Sequence, residues 1–206
     1  MLKLLHIIAT PRGEESRTLK VSNSFLKAFT DNHPDWTVDE LNLTDEKLPD
    51  LAVKQVDGKY LLLGGKELGK YESAWQGILE HIQRFLSADG YLISTPMWNF
   101  SIPYRLKHYL DVIIQPKYLF RYTATGVEGL VKNKKMVIIA SRGGDYGIPS
   151  MSGLDYQEPY LRAIFGFVGF IGIKFIIAQP MDMGDEAQQK RLLRAQSLAK
   201  EAAKNF

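Results

Sequence analysis

Four short runs of almost continuous apolar character recur along the chain, at Lys3 to Ala9, Tyr91 to Ser94, Lys135 to Ala140 and Lys174 to Ala178. Runs of this kind suit strands covered by helices on both faces of a parallel sheet. A fifth segment, Trp36 to Asn42, alternates apolar and polar residues and reads as an outer strand. Between the runs the period changes to that of a helix. Leu19, Val21, Phe25, Leu26 and Phe29 share one face, as do Trp75, Ile78, Leu79, Ile82, Phe85 and Leu86, and Leu106, Tyr109, Leu110 and Ile113. Pro159 to Val168 and Gly184 to Phe206 add two more helical stretches, the second with Leu192, Ala195, Ala199 and Ala202 inward. The alternation predicts a single α/β domain over residues 1–206, a doubly wound five-stranded parallel sheet of order 2-1-3-4-5 with helices on both faces.

Some segments resist this scheme. Ala52 to Gly65 has no clean period, and Gly58, Gly64 and Gly65 interrupt it, so it is expected to be irregular with room for a short helix. His81 falls off its helical stripe and is expected at the surface. Pro116 to Thr123 reads as extended, with Gly126 and Gly129 as turns. Gly166, Gly169 and Gly172 recur every third residue without a preceding strand, which favours close packing over a phosphate loop.

Composition narrows the classes. A chain of 206 residues can bury about 70% of its unfolded surface. The net charge of +3 is spread along the sequence apart from Lys132, Lys134 and Lys135, which argues against nucleic-acid binding. With no cysteine there is no disulfide framework, thiolate nucleophile or cysteine-bound metal. His6, His33, His81 and His108 lack ligand spacing, so no metal site is expected. The longest apolar stretch, Ile164 to Ile173, is too short to span a bilayer, and the first residues lead into a loop rather than a cleavage site, so a cytoplasmic location is expected.

In an open α/β sheet, loops at the carboxyl ends of the strands border the ligand crevice. Three such loops carry candidate chemistry. The first, Thr10 to Thr18, combines hydroxyls, Gly13, Arg12 and Arg17 immediately before a helix. It can cradle a phosphate at the helix N-terminus, or Ser16 can simply cap the helix. It matches neither the P-loop nor the dinucleotide fingerprint. The second, Pro96-Met97-Trp98-Asn99-Phe100, offers flat and soft apolar surface beside a carboxamide; it suits a planar heterocycle, or it is packing at a strand end. The third, Ser141-Arg142-Gly143-Gly144 followed by Asp145-Tyr146, lets backbone N–H groups approach a ligand edge, as a tight turn also would.

Taken as strings, all three loops resemble the FMN-dependent NADH-azoreductases and NAD(P)H:quinone oxidoreductases of flavodoxin-like fold, over nearly the whole chain except Ala52 to Lys70. The resemblance implies that Thr10, Arg12, Ser16, Arg17 and Thr18 hold the FMN phosphate. It also places Pro96, Met97, Trp98, Asn99 and Phe100 at the isoalloxazine, and Ser141, Arg142, Gly143 and Gly144 at its pyrimidine end. Trp98 stands where the family usually has Tyr, which keeps the flat surface and removes a phenol. The segment Phe120-Arg121-Tyr122-Thr123 resembles the family's hairpin that crosses a homodimer interface and roofs the partner's flavin. That likeness makes Phe120 and Tyr122 expected substrate contacts, and Phe167 resembles a family aromatic that faces the substrate. NADH or NADPH would reduce the flavin, depart, and be replaced by a quinone or azo compound. The flavin carries that chemistry, and Tyr146 is the side chain expected to supply a proton or touch substrate. The alternative is a non-catalytic flavodoxin-type electron carrier, which would usually present a one-signed docking face that this mixed sequence lacks.

Overall fold

The structure, a computed structural model, describes residues 1–206. Its strands are β1 (Leu2–Ile8), β2 (Trp36–Asn42), β3 (Gly90–Pro96), β4 (Phe120–Thr123), β5 (Gly126–Gly129), β6 (Lys135–Ser141) and β7 (Lys174–Ala178). Its helices are α1 (Arg17–Asn32), α2 (Val53–Leu63), α3 (Glu72–Leu86), α4 (Tyr104–Ile113), the short α5 (Pro149–Ser152), α6 (Gln157–Val168) and α7 (Asp185–Lys204). Five strands pair in parallel in the order β2-β1-β3-β6-β7, while β4 and β5 form a separate antiparallel hairpin. Without the hairpin this is the expected order 2-1-3-4-5. The sheet register sets Ile93 between Ile7 and Ile138, so the three central strands end together at their carboxyl edge.

Alternate residues along each strand serve opposite faces. Leu4, Leu92, Val137 and Ile176 meet Val21, Phe25 and Phe29 of α1 and the alanines Ala195, Ala199 and Ala202 of α7. The small alanine side chains let α7 lie close against α1. Leu5, Ile7, Tyr91, Ile93 and Ile138 face the larger layer, which contains Trp75 and Ile78 of α3, Leu106 and Tyr109 of α4, and Leu161 and Phe165 of α6. No helix is long and apolar enough to cross a membrane.

Five expectations need correction. Val53–Leu63 is an eleven-residue helix rather than an irregular stretch. It was illegible because only Gly58 and Leu62 of it are buried, so it carries no apolar stripe. It is tied to α3 where Trp75 Nε1 donates to the Gln55 carbonyl at 3.0 Å and Gln55 Nε2 donates to the Ala74 carbonyl at 3.1 Å, and a Cβ on Gly58 would lie 2.3 Å from the Trp75 nitrogen. His81 is buried, 8% exposed, with its ring edge-on to Tyr109, because the chain around Glu46 folds over α3. Leu86, by contrast, lies at the margin of its stripe and is exposed.

Gly126 and Gly129 bound a strand instead of forming two turns; Gly129 is required by close approach, since a Cβ there would meet the Val168 carbonyl carbon at 2.3 Å. Of the three-residue glycine repeat, only Gly169 is closely packed, against the Val131 carbonyl oxygen, while Gly166 and Gly172 face open space.

Two outcomes follow. An exposed glycine-to-alanine change inside a helix normally stabilises by about 0.5–1 kcal/mol, but Gly58→Ala is expected to destabilise by about 1–3 kcal/mol because the Trp75 indole must move. Urea unfolding of the two proteins checks the sign. Burial lowers the His81 pKa below its usual 6.5, and this outweighs the raising influence of Glu46, the Lys47 backbone and Glu80; Arg84 lowers it further. Between the folded and unfolded pKa values the unfolded chain binds more protons, so stability falls as pH drops below about 6.5. Urea midpoints at about pH 5.5 and 7.5 should differ less in His81→Gln than in the parent.

Candidate functional site

The loops after β1, β3, β6 and β7 enclose a crevice of about 230 Å³ at the carboxyl edge of the sheet. On one side is the N-terminus of α1, a helix of 16 residues whose first-turn N–H groups have no partner within the helix and point at the opening. Ser16 is its N-cap, accepting from Leu19 N at 3.2 Å, and receives the Thr10 hydroxyl at 3.0 Å. Thr18 meets the Ser141 hydroxyl at 2.7 Å, so the phosphate-type loop is tied directly to the end of β6. Behind it lies a buried polar chain that sequence reading did not assemble. His6 Nε2 and Ser94 Oγ are 2.7 Å apart, Ser94 and Ser22 hydroxyls are 2.6 Å apart, and Ser22 donates to the Thr18 carbonyl.

The opposite wall is the loop after β3. Met97 N donates to the Ser141 carbonyl at 2.9 Å, fixing the loop to β6. Trp98 and Ser101 then exchange two backbone hydrogen bonds, each 2.9 Å, around Asn99 and Phe100, which have φ of 46° and 68°. Two consecutive left-handed residues are the signature of a type I′ turn. Asn tolerates that conformation; Phe adopts it at a cost, and such strain gathers at functional sites. The turn leaves Trp98 and Phe100 about two-fifths exposed at the crevice and its rim. Trp98 also lines a second small cavity with Pro11, Pro103 and Tyr104, so its indole is the partition between two openings.

The structure brings Thr10, Arg12, Ser16, Arg17, Thr18, Pro96, Met97, Trp98, Ser141, Arg142 and Gly143 to one crevice. Asn99, Phe100, Gly144 and Tyr146 lie outside its lining, with Phe100 edge-on to Tyr146 at 6.2 Å across the two loops. Phe120 and Phe167 do not reach it. Their rings meet at 4.7 Å, tilted by 56°, and line a different, mostly apolar cavity of about 370 Å³ with Leu51, Val56, Tyr160 and Ile164. Tyr122 is exposed on the hairpin beside Phe120.

Sequence reading missed Met181 and Asp182, which follow β7; the rule that crevices form at carboxyl strand ends applied to that strand as well. Asp182 forms an ion pair with Arg17, whose other terminal nitrogen donates to Gln188 at 3.2 Å. A Cβ on Gly143 would lie 2.3 Å from the Asp182 carboxylate, so the glycine makes room for it.

The two central arginines have different duties. Arg17 is half-buried and borders the opening. Arg142 is 3% exposed; its guanidinium donates to Asp155 at 2.8 Å and to Gln157 at 3.0 Å, with its second terminal nitrogen lacking a hydrogen-bond partner. It lines the crevice while its other donors tie the loop to Asp155 and Gln157.

A flat, soft wall facing a helix N-terminus rich in hydroxyls, at the reversal of strand order, defines a flavodoxin-like protein built to hold an anionic, planar ligand. The flavodoxin-like fold family model matches residues 2–202. The FMN-dependent NADH:quinone oxidoreductase of Nitratidesulfovibrio vulgaris (strain DP4) is 39% identical over 196 residues, 93% of each chain. That of Desulfotalea psychrophila (strain LSv54 / DSM 12343) is 38% identical over 208 residues, 98% of each. Among solved structures, the azoreductase of Bacillus anthracis str. Sterne superimposes with a TM-score of 0.92 at 26% identity over the whole of both chains. The FMN-dependent NADH-azoreductase of Bacillus anthracis str. Ames Ancestor, in complex with FMN, gives 0.85 at 30% identity over 98% of this chain and 100% of the other. The chain belongs to this flavodoxin-like family, that of the FMN-dependent NADH:quinone oxidoreductases and azoreductases.

Removing a buried charge partner and exposing an ion pair at a surface have different costs. Arg142→Met is expected to destabilise the fold by about 3–5 kcal/mol, since Asp155 is left as an uncompensated, largely buried carboxylate. Arg17→Met should cost less than about 1 kcal/mol. Equilibrium urea unfolding separates them.

Proposed function

We propose that this protein is an FMN-dependent NADH oxidoreductase that reduces quinones and cleaves aromatic azo compounds, working as one domain over residues 1–206. The observation that carries the reading is the pairing of the Ser16–Thr18 helix N-terminus with the Met97–Trp98 wall in one crevice. The donor set fits FMN. Hydroxyls of Thr10, Ser16 and Thr18, first-turn N–H groups and the Arg12 and Arg17 guanidinium groups suit a phosphate dianion. Met97 and Trp98 suit a flat ring, and Gly143 keeps side-chain bulk off its edge. The names of the relatives favour turnover and lend nothing to the electron-carrier alternative.

Bound FMN supplies the redox chemistry, accepting reducing equivalents from NADH and later passing them to the acceptor. The residues of this chain bind, orient and shield. Asp182 pairs with Arg17, so that carboxylate partly neutralises the cation a phosphate would meet. Trp98 and the strained Asn99-Phe100 turn hold a preformed flat wall, which spares ordering entropy on binding. Tyr146, edge-on to Phe100 across the two loops, is the side chain we assign to contact with the acceptor or to proton supply.

Phe120, Tyr122 and Phe167 fit the same reading if two copies associate as a homodimer, each lending its hairpin to the other's crevice. Their distance from the crevice of their own chain and the apolar cavity beside them support that arrangement. A cytoplasmic location accords with this chemistry.

Anaerobic visible spectra test the activity. FMN added to the protein should bleach with NADH and recover with a benzoquinone or an azo dye; flavin that binds and is never reduced would overturn the enzymatic reading. Arg17→Met should weaken FMN by about tenfold or more and leave riboflavin, which lacks the phosphate, nearly unchanged. Fluorescence titration with both flavins gives that ratio.

A further inference from the structure

Three consecutive residues at the start of α6 hold both loops of the crevice. Asp155 caps the helix, its Oδ1 accepting from Gln157 N and Glu158 N at 3.0 and 3.1 Å, while Oδ2 accepts from Arg142 at 2.8 Å. Tyr156 N donates to the Phe100 carbonyl at 3.0 Å, supporting the left-handed turn. Gln157 touches both loops with one side chain. Its Nε2 donates to the Pro96 carbonyl at 2.8 Å, and its Oε1 accepts from Arg142 Nε at 3.0 Å. The side chain has no exposure to solvent.

A carboxamide is suited to this place. The Pro96 carbonyl requires a donor and the Arg142 guanidinium requires an acceptor, so the two ends of the group are fixed by what they face. Water does not compete for either bond, and a lost partner would leave a buried polar group unpaired. Pro96 starts the aromatic loop and Arg142 starts the glycine loop. Strand pairing of Pro96 with Ser141 and the Met97–Ser141 bond set the spacing of the two loops; the glutamine side chain ties the Pro96 carbonyl to the Arg142 side chain beneath them.

We propose that Gln157 is a positioning residue that holds the Pro96 peptide and the Arg142 side chain in fixed orientation at the floor of the flavin slot, an inference that rests on the FMN reading above. It acts through Pro96 and Arg142 and need not touch the ligand. Asp155 anchors the bridge to its helix, so the orientation of both loops at that floor is referred to α6 and the core beneath it.

The test uses the full-length protein with Gln157→Glu, Gln157→Met and, as a control in the core of the same helix, Leu161→Val. Glu keeps the size and the acceptor for Arg142 but sets an oxygen without a proton against the Pro96 carbonyl. Met removes both bonds. Hydrogen exchange of flavin-stripped protein should quicken over residues 97–101 in Gln157→Glu, and over both 97–101 and 142–147 in Gln157→Met. Leu161→Val should leave both segments as in the parent.

FMN titration should then give a Kd about tenfold or more above the parent for both Gln157 variants and within about twofold for Leu161→Val. The visible circular dichroism of the bound flavin should change only in the Gln157 variants. Unaltered loop exchange in Gln157→Met would overturn the bridge. So would a Leu161→Val protein that matches the Gln157 variants in all three readouts, because the effect would then be general loss of stability. A parent protein that binds no FMN would overturn the functional reading alone, and the exchange data would still decide whether Gln157 couples the loops.

Discussion

A parallel strand cannot be followed by its neighbour through a tight turn; each connection must cross over a face of the sheet, and the faces are thereby buried. In this chain the connection leaving β1 leads outward to β2, whereas the later strands build in the opposite direction through β3, β6 and β7. Helices on opposite faces consequently diverge where the order reverses, and only the carboxyl edge is left open for polar chemistry. The hydroxyls of Thr10, Ser16 and Thr18, the Met97–Trp98 wall and Gly143 all depend on that one topological constraint. Beneath them the buried His6, Ser94 and Ser22 chain supplies a fixed polar floor inside an otherwise apolar sheet.

The regular parts of this architecture were legible because each had a period. Continuous apolar runs announced the buried strands, and the 3.6-residue stripes announced α1, α3, α4 and α7. Helix α2 had no stripe to read; it is placed by contacts to α3 and the turn before it, among them Trp75 lying across Gly58, 17 positions away in sequence. His81 looked like a surface residue because its burial comes from the segment around Glu46, which no local pattern brings over α3.

The site shows the same division. Hydroxyl-rich, aromatic and glycine-rich strings marked three loops, and the structure draws most of those residues into one crevice. Composition did not reveal how the arginines would be engaged. Arg12, Arg17 and Arg142 all line the opening, with Arg17 paired to Asp182 and Arg142 tied to Asp155 and Gln157. Nor did it reveal that Phe120 and Phe167 would pack away from that opening, since an aromatic residue looks the same in sequence whether it lines a crevice or packs elsewhere.

Asp182 gives the crevice a resident counter-ion. That carboxylate sits beside the Arg17 guanidinium in the crevice lining, so the attraction this arginine exerts on an incoming anion is already partly neutralised. The positive field of the opening is smaller than a count of its arginines in the sequence would suggest.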